Sequence, residues 1–254
     1  MFLFLRFIPI LVALTAIVGS MALFWFPTHF FLVTIVALLV LFALLNQLNS
    51  WDFKKIETWI FSSTPFLLAL SSFILLWFLE DSGIKILVIF LLTFLIWLFT
   101  ENLFTFLHLP GAYQVNALEY LSLVVSVVSF YFFTVALFAA RIFLGVPLWI
   151  LVLFFVVFVF ILSASTFWIC KVEKEKVLNN AIGGTVLLAE FFAALSFLPT
   201  GFFPNAGLVT LIFYLFLGIV RSHLLGKLTK TVLKRYLITA CVMAVLIIIT
   251  ARWT

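Results

Sequence analysis

Nine apolar runs, each close to 20 residues long, follow one another along this chain, and that repetition restricts its fold more than any motif it carries. A helix needs about 20 mostly apolar residues, at 1.5 Å rise each, to cross the roughly 30 Å hydrocarbon core of a bilayer. The runs fall at about 7–26, 30–48, 59–79, 84–107, 117–140, 148–169, 180–198, 205–222 and 236–253. Between them stand residues that stop helices or meet water, among them Pro27, Asp81-Ser82-Gly83, Pro110-Gly111, Pro147, Pro199 and Gly226. The runs are continuous, whereas the strands of a membrane barrel alternate lipid-facing and lumen-facing residues, so helices are expected.

Composition enters only to exclude a water-soluble alternative. Hydrophobic residues make up 67% of the 254 and charged residues 9%, against roughly 45–50% and about 25% in soluble domains. No polar block is long enough to form a separate domain. The expectation is an all-α integral membrane protein, a polytopic bundle of nine transmembrane helices forming a single transmembrane domain over residues 1–254. The first run can also be read as a secretory signal peptide with small residues at Gly19 and Ser20, but it continues to Phe26, and an uncleaved span is the preferred reading.

Charge gives this count an independent test, because cytoplasmic loops collect Lys and Arg. With nine spans, eleven basic residues fall on one side: Arg6, Lys54, Lys55, Lys171, Lys174, Lys176, Arg221, Lys227, Lys230, Lys234 and Arg235. Three fall on the other, Lys85, Arg141 and Arg252. The expected protein is a multi-pass protein of the cell membrane with its N-terminus cytoplasmic and its C-terminus outside. Its lipid bilayer is the expected partner. The net charge of +5 needs no nucleic acid to explain it, since topology already places most of the cations. The basic stretch 221–235 is either an ordinary cytoplasmic loop or a surface-lying helix attracted to anionic lipid, at about 1 kcal/mol per basic residue near the surface. Cys170 and Cys241 show neither paired nor metal-ligand spacing, and no cofactor is implied.

Polar groups inside the runs are the candidates for function. Glu190 sits near the middle of the seventh run, where an ionised carboxylate costs about 2.5–3.5 kcal/mol on insertion scales. It must carry a proton or be shielded by other helices. Gly183, Val186 or Leu187, Glu190, Ala194 and Phe197 share helical spacing, with Ala189 and Ala193 alongside, so this face is expected to be the packed one. Asn116, Glu119, Ser122, Ser126 and Ser129 form a polar stripe on the fifth run. On the fourth, Thr93, Trp97, Glu101, Phe104 and His108 fall near a common face. An antiparallel hairpin would bring Glu101, His108, Asn116 and Glu119 together near the inner surface. General acid/base chemistry by His108 with the two carboxylates is then conceivable, whereas one histidine without tight ligand spacing argues against a metal site. The serine and threonine clusters at 71–72 and 163–166 are expected to bond back to their own helices or to join neighbours, Glu190 included.

Phe104 and His108 match the FxxxH fragment of intramembrane CAAX-type proteases, but the paired-glutamate EExxxR element is missing and no role follows. Three functions stay open. The first is transport or binding of a small or apolar solute or lipid, with Glu190 as an intramembrane carboxylate and Ser122, Ser126 and Ser129 lining the route. The second is a non-catalytic scaffold or assembly subunit. The third is a membrane enzyme using His108, Glu101 and Glu119 at the cytoplasmic face.

Overall fold

The computed structural model describes residues 2–49 and 55–251, with side chains from residue 5 onward; Lys54, Arg252 and Trp253 lie outside the described residues. Among the described residues, nine helices are long and apolar enough to cross a membrane. They are α1 (Phe2–Trp25), α2 (Phe30–Leu48), α3 (Ile56–Phe78), α4 (Ser82–His108), α5 (Ala117–Leu144), α6 (Leu148–Ile169), α7 (Lys174–Leu195), α8 (Phe202–Leu224) and α9 (Lys230–Thr250). The protein is an all-α polytopic membrane bundle. Most boundaries follow the apolar runs closely. α7 and α9 each start six residues earlier than their runs, because Lys174, Glu175 and Lys176, and Lys230, Lys234 and Arg235, lie in helix rather than in a loop.

Helix ends are closed locally. The Asp81 carboxylate accepts from the Ile84 amide at 2.8 Å and starts α4, and the Thr229 hydroxyl accepts from the Val232 amide at 3.3 Å to start α9. At the start of α5, the Tyr113 hydroxyl accepts from the Leu118 amide at 3.0 Å. α6 and α8 end in the same way. A left-handed residue, Lys171 with φ 60° or Gly226 with φ 66°, lets two amides reach back to carbonyls of the last turn. The bonds are Val172 to Phe167 and Lys171 to Trp168 in α6, and Lys227 to Ser222 and Gly226 to His223 in α8. The basic stretch 221–235 is therefore divided between the end of α8, a short link and the start of α9, and the alternative of a separate surface-lying helix is not formed.

The helices group into two compact units, residues 1–129 and 130–254, and the boundary falls within α5. In the first, α1 packs against α2, α3 and α4. α1 and α4 run antiparallel and are joined near both ends. Arg6 meets Glu101 at 2.6 Å, and the Lys85 ammonium lies 5.6 Å from the centre of the Phe24 ring. Arg6 and Phe24 are about 27 Å apart along α1, at 1.5 Å per residue, close to one hydrocarbon thickness. A side chain at Gly19 would put its Cβ 2.9 Å from that of Ala37 and 3.2 Å from the Phe73 ring, so this glycine lets α1, α2 and α3 approach closely.

The second unit is held by phenylalanines. Phe130 of α5 stacks on Phe213 of α8 at 4.1 Å and meets Phe155 of α6 edge-on at 5.6 Å. Phe155 in turn stacks on Phe192 of α7 at 4.5 Å. All four rings are fully buried. In lipid there is no hydrophobic drive between helices, so such close packing decides which faces meet. α9 rests on α8 and buries only Ala240.

Candidate functional site

The hydroxyls within the spans are mostly used locally. Ser71 and Ser72 donate to the Leu68 carbonyl at 3.0 and 2.7 Å, and Ser165 and Thr166 to that of Leu162 at 3.0 and 2.7 Å. On α5 the expected polar stripe lies on a buried face: Glu119 is 7% exposed, and Ser122, Ser126 and Ser129 are fully buried. Ser122 donates to the Glu119 carbonyl at 2.9 Å and Ser129 to that of Val125 at 2.7 Å. Glu119 stands in the first turn of α5, where the helix dipole favours a negative group. Asn116 has φ 65° and serves as the left-handed residue that leads into this helix.

At the other end of the expected cluster, Glu101 is engaged by Arg6 of α1. The Arg6 guanidinium also lies 5.2 Å from the centre of the buried Phe104 ring, on which the His108 ring stacks at 5.1 Å, nearly parallel. The Nδ1 atom of His108 is buried without a hydrogen bond. Arg6, Glu101, Phe104 and His108 thus form one mixed ionic and aromatic group at an end of the first unit. Sequence reasoning placed Arg6 only among the topology-setting cations. The available signal was that Arg6 and Glu101 are each a single charge one or two turns inside the ends of their helices. Among the described residues, no group of three His, Cys, Asp or Glu side chains is placed to hold a metal ion.

Glu190 requires a correction. The residues expected on the packed face, Gly183, Val186, Leu187, Glu190 and Ala194, are exposed. The packed face of α7 is the opposite one, made by Val177, Ala181, Gly184, Thr185, Leu188 and Phe192. The physical reason is shape. A Cβ at Gly184 would fall 1.9 Å from the Phe216 ring, so Phe216 of α8 fits only against a glycine there, while Phe192 takes its place in the aromatic stack. Glu190 has no hydrogen bond or ion pair among the described residues, and the serine clusters do not serve it.

An apolar recess lies between α1 and α2, with a volume of about 470 Å³. Leu14, Val18, Val33 and Val36 wall it, and Gly19, Ala22 and Ala37 line it as well. Its one lining hydroxyl, on Thr15, donates to the Leu11 carbonyl at 2.8 Å and presents little polarity to an occupant. Val18 is 65% and Val36 52% exposed, so the recess opens sideways. Beyond the Ala22 end, the chain turns through Pro27–His29, where Thr28 and His29 share a hydrogen bond of 3.0 Å. Exposed Trp25 and Phe26 stand at that turn, and Lys85 lies against Phe24 one turn away. An apolar groove that is open to the side suits a hydrocarbon chain.

A family described as "Protein of unknown function (DUF5656)" matches residues 45–250, well over half of the chain. The chain belongs to DUF5656. No curated protein and no solved structure matches it. The matched stretch holds the end of α2 and all of α3 to α9, so Glu101, His108, Glu119 and Glu190 lie within the DUF5656 region, whereas Arg6 and the groove belong to the part before it.

Proposed function

We propose that this DUF5656 protein is a multi-pass protein of the cell membrane that binds a lipid or another single-tailed or double-tailed amphiphile, taking a hydrocarbon chain into the α1–α2 groove. The observation that carries this reading is an apolar recess between α1 and α2 that is open to the side, walled by aliphatic side chains with no free polar group. Lipid tails are as apolar as leucine, so the groove acts through the fit of its packing to the chain it takes. Binding, rather than transport, is the part of the solute-handling expectation that this geometry supports. Glu190 serves towards whatever meets the outer side of α7, not in an internal cavity. The N-terminus is taken as cytoplasmic, with the 221–235 segment facing anionic inner-leaflet lipid.

The test is photolabelling in membranes with a phospholipid carrying a photoreactive acyl chain. Labelled peptides are expected to map to α1 and α2, and the double substitution Val18→Trp with Val36→Trp, which fills the groove from its open side, should lower that labelling at least about threefold. These two side chains are largely exposed, so the larger rings do not enter a packed core. Undiminished labelling of α1 and α2 in the double variant would remove the groove from the account.

A further inference from the structure

We infer that α7 is a self-association helix: two copies of this chain meet along its exposed face, with Glu190 of each facing Glu190 of the other. Three independent features of α7 converge on this. The first is an unmet requirement. Glu190 lies within the span Lys174–Leu195, exposed and with no partner among the described residues. Hydrocarbon offers a carboxyl group no hydrogen bond, so another polar group must come to it from outside the chain.

The second feature is spacing. Asn179, Gly183, Val186, Glu190 and Ala193 recur at alternating steps of four and three, and all five are exposed or half-exposed. That alternation keeps one seam facing a parallel partner helix in left-handed packing. Most surface positions along the seam are small or polar rather than bulky. Gly183 has open space around the position of a Cβ, so the backbone of a second helix can approach closely.

The third feature is self-complementarity, and it selects the occupant. Two copies inserted the same way in one membrane present parallel α7 helices, and a two-fold axis along the membrane normal sets each seam residue against its own counterpart. In its acid form a carboxyl is both donor and acceptor, and so is the amide of Asn179. Glu190 against Glu190 and Asn179 against Asn179 therefore satisfy one another with no cation required, and two polar positions in an otherwise apolar seam fix register. An unlike partner would have to supply a matching donor at the same depth.

The experiment is cysteine cross-linking of the full chain in native membranes. Cys241, which is exposed on α9, is replaced by serine, and Cys170 is buried and can stay. Val186→Cys is expected to form a disulfide-linked dimer under mild oxidation. Val242→Cys, about equally exposed but on α9, is expected to remain monomeric. Adding Glu190→Leu should lower the Val186→Cys dimer yield at least about threefold, whereas Glu190→Gln, which still donates and accepts, should retain more than half of it. A leucine on a lipid-facing position does not endanger the fold, and an unchanged elution profile in mild detergent checks this. The inference is overturned if Val186→Cys cross-links no better than Val242→Cys, if Glu190→Leu leaves the yield unchanged, or if the cross-linked species has the mass of one chain plus a different protein.

Discussion

Gly184 shows how much one missing methyl decides. The Phe216 ring occupies the position where any Cβ at 184 would stand, and Phe216 itself meets Phe167 of α6 edge-on at 5.7 Å, so it has little freedom to withdraw. Overpacking a tight contact costs about 1–3 kcal/mol. Gly184→Leu is expected to lower the thermal midpoint of the detergent-solubilised protein clearly, read as loss of the monodisperse peak after heating, while Gly183→Leu one residue away, where a Cβ meets nothing within the chain, should leave the midpoint of the single chain nearly unchanged. The difference between these neighbours was not legible in the sequence, where "GG" reads the same from either side. Nor was the outward direction of Glu190. In a span surrounded by lipid the packed face and the exposed face are both apolar, so periodicity has no contrast to work with, and ring shape settles the orientation instead.

The helices themselves were legible because a bilayer imposes their length and because Asp81, Pro147, Gly226 and Thr229 stop or start them by local chemistry. The starts of α7 and α9 departed from expectation at their charged first turns, since charged side chains at a membrane surface can continue a helix as readily as end it. Pairing between distant helices was not legible. The α1–α4 contact depends on Arg6 reaching Glu101, a partnership across 95 positions that no local pattern announces. Both side chains are partly exposed at the end of the unit, so a double-mutant cycle with Arg6→Ala and Glu101→Gln is expected to give a coupling of about 0.2–1 kcal/mol. Arg6→Lys should recover the ion pair but not the whole effect, because an ammonium lacks the flat surface that the guanidinium lays towards Phe104. Denaturant titration in micelles, followed by tryptophan fluorescence, provides the readout. A coupling of zero would assign the α1–α4 contact to apolar packing alone.

Nine spans among the described residues and the eleven-to-three division of basic residues predict that the ends emerge on opposite sides of the membrane. A reporter active only in the cytoplasm is expected to work when fused before α1 and to fail when fused after α9, and a reporter active only outside should behave the other way round. Equal activity of one reporter at both ends would require a different number of crossings. Function was far less legible than architecture. The polar inventory visible in the sequence went largely to bonds within single helices, as the serines on α3, α5 and α6 donate to carbonyls three or four residues back. The recess between α1 and α2 is lined by residues on two helices lying opposite one another, a relation that exists only after folding.

Phe216 seated against Gly184 has a mechanical corollary. It acts as a key in a keyway, fixing the azimuth of α7 about its own axis. To carry residue 190 inward the helix would have to roll half a turn, and that roll would drive a row of side chains through an aromatic ring. Whatever satisfies that carboxyl must therefore travel to it through the plane of the membrane.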